Sequence, residues 1–410
     1  MVVNIESILI VKMKVHNVQL NYFQEICETS KLLNYFLRIF SLNWILTTGG
    51  VPFLHILRVA VPFVIVGSYS LFILIYKFLY VVNVEFQLAR SIQYMDAVQS
   101  VYDLFQYSVD LWYVYKYGAD ICLEYINRYC LLDGLLGMKY YSDIKSSLAK
   151  FLCFIISLWF ITSLYDYLVW TYGYGPIIPI FFSGTYIHML IKSLTSTNLL
   201  LNIMHIESRL RTVGDQVQML YSNAENLLPM NQEVLSSTWF CPYSKKSVNT
   251  AMEFVNAKKN VKLFRCYYLL LSEQVKFINR MFGMRILLNT LSLLIDMVRL
   301  INLAVRLIET TVTFYPAIGS LVKVLMCAVL LISVVWCSEK AYEQRSRLMC
   351  LIDNLLVNKK IEDIKDFQSL IQARPISFSM ADFVRIDNSF LVSIASAVVT
   401  YSIILLQSLN

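Results

Sequence analysis

Three aspartates, Asp96, Asp103 and Asp110, recur at intervals of seven in a stretch otherwise suited to a membrane helix. Seven residues are two helical turns, so the three carboxylates share one face. Downstream, Asp296 and Arg299 stand three apart in an apolar run, and so do Arg306 and Glu309. That is the spacing of an ion pair on one helix. Lys323 lies alone in the next run. A charged side chain near the bilayer centre costs about 2.5–3.5 kcal/mol on insertion scales. Such groups pair with each other, line a wet cavity, or hold a polar ligand. The expectation is that Asp103 pairs with Arg299 or Lys323. The plainer reading is a structural salt-bridge network, and the sharper one is a pocket for a polar ligand.

A second group of residues is aromatic and polar. Trp159, Tyr165 and Asp166 close the third apolar run, and Thr185 and Tyr186 open the fourth. Asn302 sits between Arg299 and Arg306, and Tyr315 precedes Lys323. Together with Asp103 these eleven positions are the candidate ligand-binding set. An interfacial aromatic belt is the ordinary reason for Trp and Tyr at span ends. The third feature is terminal. The chain finishes TYSIILLQSLN, with the amide of Gln407 at the end of an apolar run.

Other chemistry is not indicated. The four histidines show no metal-ligand spacing, and the nine cysteines include no CxxC pair. The cysteines read as packing residues. No phosphate loop, nucleophile elbow or paired-carboxylate motif occurs, so neither an enzyme nor a cofactor or metal site is expected. The basic residues are scattered through loops, which argues against nucleic acid as a partner.

The elements that must position these residues follow from composition. The chain has 410 residues, of which 57% are hydrophobic and only 15% charged. A soluble protein would be about a quarter charged. The apolar residues come in seven blocks of spanning length, near 59–82, 91–115, 151–170, 177–205, 284–308, 314–336 and 390–406. The second is the weakest because of its aspartates. A half-apolar stretch at 41–57 reads as interfacial or cytosolic helices. The N-terminus does not have the form of a cleavable signal peptide. Lys and Arg crowd the N-terminal arm and the loops after the second, fourth and sixth blocks, and are nearly absent from the alternate loops. The N-terminus is therefore expected in the cytosol and the C-terminus outside. That parity is the reverse of a G-protein-coupled receptor. Residues 270–283 and 338–356 have helical apolar spacing, so the fourth, fifth and sixth helices should continue into the cytosol and pack together. Residues 222–249, with their prolines, serines and asparagines, read as loose. No internal repeat supports an inverted-repeat transporter.

The C-terminal third resembles the insect gustatory receptors, a family within the insect chemoreceptor superfamily. Thr400 and Tyr401, five mostly apolar residues and Gln407 match the close of that family's last span, with Ser408 where the family usually has Phe. Cys337 and Glu343, Phe367 with Gln368, and the stretch carrying Phe378, Phe383, Asp387 and Leu391 match the approach to it. INRMFGMRILLN at 278–289 is similar to the family's Asn-x-x-Phe-Gly element, and LLDGLLGMKYYSDI at 131–144 to its second cytosolic loop. The resemblance runs from about residue 130 onward and is densest from 337 to 407.

The resemblance implies an all-α membrane protein of seven transmembrane helices, cytosolic N-terminus and extracellular C-terminus. It implies a tetrameric cation channel in the plasma membrane of sensory neurons, opened by a small-molecule tastant. Residues 1–58 would form a cytosolic arm, 59–336 the first six spans with an outer ligand pocket, and 337–410 a cytosolic anchor and the pore helix. Thr400, Tyr401, Ile403, Ile404, Leu406, Gln407 and Ser408 would form pore and gate. With Ser408 in place of Phe, closure would rest more on Leu406 or Ile403. An aromatic, amphipathic plant compound of bitter type is the expected ligand, with a sugar-gated channel, or an olfactory or metabotropic subunit needing a partner, as alternatives.

Overall fold

The structure is a computed structural model that describes residues 28–43, 52–81, 90–117, 130, 133, 140–175, 178–226, 245–309, 314–358 and 362–407. A short helix α1 (Lys31–Ile39) precedes the long ones: α2 (Pro52–Val81), α3 (Arg90–Tyr117), α4 (Tyr141–Tyr174), α5 (Ile178–Asn226), α6 (Lys245–Glu309) and α7 (Phe314–Asn358). Then come α8 (Glu362–Ala373), a hairpin of two-residue strands β1 (Ser379–Met380) and β2 (Val384–Arg385), and α9 (Asn388–Gln407). Apart from that hairpin, which the sequence reading had not included, the fold is helical.

Five of these helices are long and apolar enough to cross a membrane: α2, α4, α6, α7 and α9. The reason α3 falls short is instructive. It is built inside out, with Asp96, Gln99, Asp103, Gln106 and Asp110 buried and Val98, Val101, Phe105 and Trp112 exposed. Averaged along the helix, polarity inside cancels hydrophobicity outside. A soluble helix would do the opposite. α5 differs in being buried on every side through its middle, where Lys192, Ser193, Thr195, Thr197 and Asn198 sit among buried leucines.

Two differences from the sequence expectations concern ends of elements. Residues 52–57 are not a separate interfacial helix but the first turns of α2. The remainder of that stretch at 44–51 lies outside the described residues, as do 1–27, most of 131–139, 227–244 and Ser408. The expectation of a loose segment at 222–249 is therefore met by structure only at its edges, where 222–226 end α5 and 245–249 begin α6. α7 also runs unbroken through residues 336 and 337, so no helix end marks the domain boundary drawn there.

α5, α6 and α7 continue far past their apolar stretches, as expected. Their extensions bury a core with α8 and the hairpin that includes Ile206, Leu210, Tyr268, Phe282, Phe367 and Phe378. A fully buried ion pair sits at its edge. Arg209 donates to Asp133 through Nε and Nη2, each at 2.7 Å, and Tyr141 also donates to that carboxylate. The fork matches a carboxylate's geometry, which a lysine could not do.

α9 starts on a side-chain cap. Asp387 accepts the Phe390 amide at 3.1 Å and the Ser389 hydroxyl at 2.6 Å. Those bonds hold its carboxyl below the usual aspartate range, with the Ser389 bond the largest cause. A lowered pKa means the cap is intact at neutral pH and weakens as pH falls through that lowered value. Asp387→Ala is expected to cost about 1 kcal/mol and to raise amide exchange at Phe390 about fivefold. Asp387→Asn should retain most of the protection, and equal exchange in the Ala variant would contradict the cap.

Candidate functional site

The buried aspartates of α3 form one half of an antiparallel polar seam with α6. Asp96 accepts from Arg299 Nη1. Asp103 Oδ1 accepts from Ser292 at 2.8 Å and from Gln99 at 2.7 Å. Gln106 donates to Asn289 at 2.9 Å, and Arg285 Nε donates to Asp110 at 2.7 Å. The two residue numbers in each of these four cross-helix pairs add to the same value, whereas the bonds of Gln99 to Ser292 and of Tyr102 to the Leu288 carbonyl stand outside the series. Each step down α3 is therefore matched by a step up α6, in a polar version of a heptad seam.

Lys192 of α5 closes the seam from a third side. Its ammonium lies 2.7 Å from Asp103 and 2.5 Å from Asp296, with side-chain exposure of 2%. Asp296 also takes Arg299 Nη2 at 3.1 Å. The pairing of Asp103 with Arg299 or Lys323 expected from sequence is therefore not found. Lys192 takes Asp103, because α5 packs against both α3 and α6 at that level. Sequence reasoning passed over Lys192, although a lone lysine in the apolar run around 186–194 is itself a signal.

Lys323 serves a different cluster. It forms an ion pair with Asp166 of α4, and its ammonium lies 4.8 Å from the Tyr186 ring centre. Tyr186 donates to the same carboxylate at 3.2 Å, and Tyr165 donates to the carbonyl of Tyr315 at 3.0 Å. Position 319 must be glycine for this arrangement. A Cβ there would lie 2.2 Å from Asp166 Oδ1. The cluster ties α4, α5 and α7 together.

Next to that cluster lies a cavity of about 390 Å³ between α2, α4 and α5. Its walls include Tyr69, Trp159, Phe160, Tyr167, Ser183 and Tyr186. Trp159 Nε1 donates to the carbonyl of Tyr186 at 2.8 Å, which fixes the indole as a wall. The predicted ligand set is therefore divided. Trp159 and Tyr186 line the cavity, whereas Tyr165, Asp166, Tyr315 and Lys323 form the adjacent latch. Asp103 and Arg299 belong to the seam. Asn302 is turned back onto its own helix, donating to the Val298 carbonyl at 2.7 Å. Thr185 is half-buried on α5 and is not part of the cavity wall, and the Arg306 side chain lies outside the described residues. Among the described residues no cluster of His, Cys, Asp and Glu could hold a metal ion.

The last helix has its own pattern. α9 buries Ile394, Val398 and Ser402 against α6 and α7. Its opposite side exposes Ser389, Ser393, Ser396, Thr400, Ile403 and Gln407. That stripe, at steps of three and four, gathers five of the polar side chains of an otherwise apolar helix. Tyr401 and Ile404 are half-exposed beside it, and Leu406 is partly buried.

Buried ions between apolar-surfaced helices define a polytopic helical membrane protein. The sequence matches the 7tm chemosensory receptor family over residues 30–408, and the chain belongs to that family. Among curated proteins, no sequence relative matches. Among solved structures, the insect olfactory receptor OR5 from Machilis hrabei superposes with a TM-score of 0.56 at 14% identity, over 94% of this chain and 99% of that one. The same receptor in complex with eugenol gives a TM-score of 0.56 at 13% identity with the same coverage. The fold is thus shared with that insect olfactory receptor.

Proposed function

We propose that this chain is a gustatory-type receptor subunit, a tastant-gated non-selective cation channel in the plasma membrane of sensory neurons. Seven spans, α2 to α7 and α9, would place the N-terminus in the cytosol and the C-terminus outside, in line with the Lys and Arg bias of the loops. The observation that carries the channel reading is the polar stripe of α9. Hydrocarbon does not reward exposed hydroxyls and an amide, but water in a pore does. Four copies around an axis would turn the stripes inward, with Ile403 and Ile404 as a dewetting constriction and Gln407 as a ring of uncharged dipoles. The cytosolic anchor would be the core shared by α5 to α8.

The ligand reading rests on the cavity. A sugar needs many hydrogen-bond partners, whereas this wall is mainly aromatic and aliphatic with a few hydroxyls. An aromatic or amphipathic plant compound fits better. OR5, which shares the fold, has been solved with eugenol, and a small organic ligand is proposed here as well.

Patch-clamp recording from cells expressing this chain alone tests the proposal. Cation current evoked by a bitter-compound panel is expected. Gln407→Glu should then move the reversal potential towards greater cation preference, because a carboxylate ring replaces neutral amides. A reversal potential unchanged by Gln407→Glu would take that residue out of the ion path. Current that needs a second subunit would favour the olfactory or metabotropic alternative.

A further inference from the structure

The geometry points to the α2–α4–α5 cavity as a site entered sideways from the bilayer and selective for neutral amphiphiles that carry a hydroxyl donor. This rests on the receptor reading above and adds the route and the chemical class. Its size lies within the ordinary range for small-ligand pockets, about 300–1,000 Å³.

The route follows from which wall residues reach the surface. Phe160, Leu164, Tyr167 and Ile180 line the cavity and are also 45–58% exposed. The mouth is therefore on the outer surface of the bundle. Around it α4 exposes Phe154, Ile161 and Leu168 as well. Those residues form part of a helix apolar enough to cross a membrane. A mouth framed by that surface opens onto lipid rather than water, so a ligand must partition into the bilayer before it binds.

The specificity follows from proton counting. Tyr69 OH and Ser183 Oγ lie 2.5 Å apart on the wall. The Ser183 proton is committed to the carbonyl of Ile180. A hydroxyl has one proton, so Tyr69 must donate to Ser183. What remains at this pair is lone-pair capacity alone. It can accept a hydrogen bond from a ligand and cannot give one. An alcohol or phenol satisfies it, and an ether or ester of the same shape does not. On the same wall Trp159 serves the Tyr186 carbonyl and Tyr186 serves Asp166, which leaves the hydroxyls of Ser163 and Tyr167 as the other donors there.

The test uses the full chain in lipid nanodiscs, with p-hexylphenol and its methyl ether as probes. Trp159 emission is isolated by subtracting a Trp159→Phe sample. Saturable quenching by the phenol is expected, with the ether about fivefold weaker, the size of one net hydrogen bond. Ser183→Ala frees the Tyr69 proton to donate to the ether and should abolish the preference, whereas Tyr69→Phe leaves Ser183 as an acceptor alone and should retain it. Leu164→Trp at the mouth should block saturable binding. Equal affinity for phenol and ether, or quenching that merely follows partition into the lipid, would overturn the site. So would quenching by brominated acyl chains that the phenol does not relieve, since the cavity would then hold lipid. Saturable, phenol-selective binding without current would leave the site standing and refute the channel reading. Tastant current untouched by Ser183→Ala and Leu164→Trp would do the reverse.

Discussion

Lys192→Met is expected to be among the most damaging single substitutions in the bundle. The ammonium it removes is shared by Asp103 and Asp296, both buried. Asp296 keeps Arg299, and Asp103 keeps only the neutral donors Gln99 and Ser292. One uncompensated carboxylate is then stranded among helices that face lipid. Removing one partner of a buried pair costs about 3–5 kcal/mol. Thermal unfolding in detergent should fall by about 10 °C, and surface expression should drop with it. The triple variant Asp103→Asn, Lys192→Met, Asp296→Asn removes the stranded charges with the cation. It should recover much of the loss, although Arg299 then rests on Asp96 alone. A single variant as stable as the wild type would show that the seam carries little of the fold's stability.

The seam also shows what the sequence could and could not say. The seven-residue recurrence of Asp96, Asp103 and Asp110 was legible, and it correctly placed the three on one buried face. The intervening Gln99 and Gln106 complete that stripe at steps of three and four, and they carry no charge to draw attention. The matching stripe of Arg285, Asn289, Ser292, Asp296 and Arg299 was only half seen, through its last two members. Pairing between helices depends on register, and register is a property of the packed bundle rather than of either helix. That is why the partner of Asp103 was wrong while its burial was right. Lys323 was legible as a lone cation in an apolar run, but its partner Asp166 is distant in sequence and depends on Gly319 admitting the carboxylate.

The long apolar helices were easier to read, because bilayer thickness imposes a length on apolar runs that no packing detail can hide. The long extensions of α5, α6 and α7 were legible for a similar reason. They revert to the soluble pattern of apolar stripes between charges, and the core around Tyr268 and Phe367 is where those stripes meet. The hairpin was not legible. Its strands are two residues each, and its turn places Ala381 at φ 50° and Asp382 at φ 61°, a region favoured by Gly, Asn and Asp. Asp382 suits that turn and takes the Ser379 hydroxyl, but Ala381 does not, so tertiary contacts must hold it there.

Those contacts identify Gly283→Ala as the second large-effect substitution. The hairpin lies directly on α6 at Gly283. A Cβ there would come within 2.8 Å of the Ala381 amide nitrogen and 3.3 Å of the Ser379 carbonyl oxygen. Both are backbone atoms, so no side chain can swing away. The hairpin is also pinned around that point. Asn279 donates to the Ser377 carbonyl at 2.9 Å and accepts the Ser379 amide at 3.2 Å, taking the place of a neighbouring strand. Tyr342 of α7 accepts the Phe378 amide at 3.0 Å and donates to the Ile386 carbonyl at 3.1 Å. The left-handed residues persist because α6 and α7 hold both sides of the turn. Two residues after Ile386 the chain enters α9, so displacing the hairpin displaces the start of that helix. Gly283→Ala is therefore expected to disturb the proposed pore before it unfolds the bundle. Altered basal current at near-normal surface expression is the predicted result, with ligand-evoked current reduced about tenfold or more if the clash costs over 1.4 kcal/mol. Asn279→Ala loses two hydrogen bonds and adds no clash, so its effect should be smaller. If Gly283→Ala gates normally while Asn279→Ala does not, the strand-like amide bonds rather than the close approach hold the hairpin in place. If neither variant changes the current, α9 is set by its packing on Met326, Leu330 and Leu293 alone, and the hairpin is only a connector.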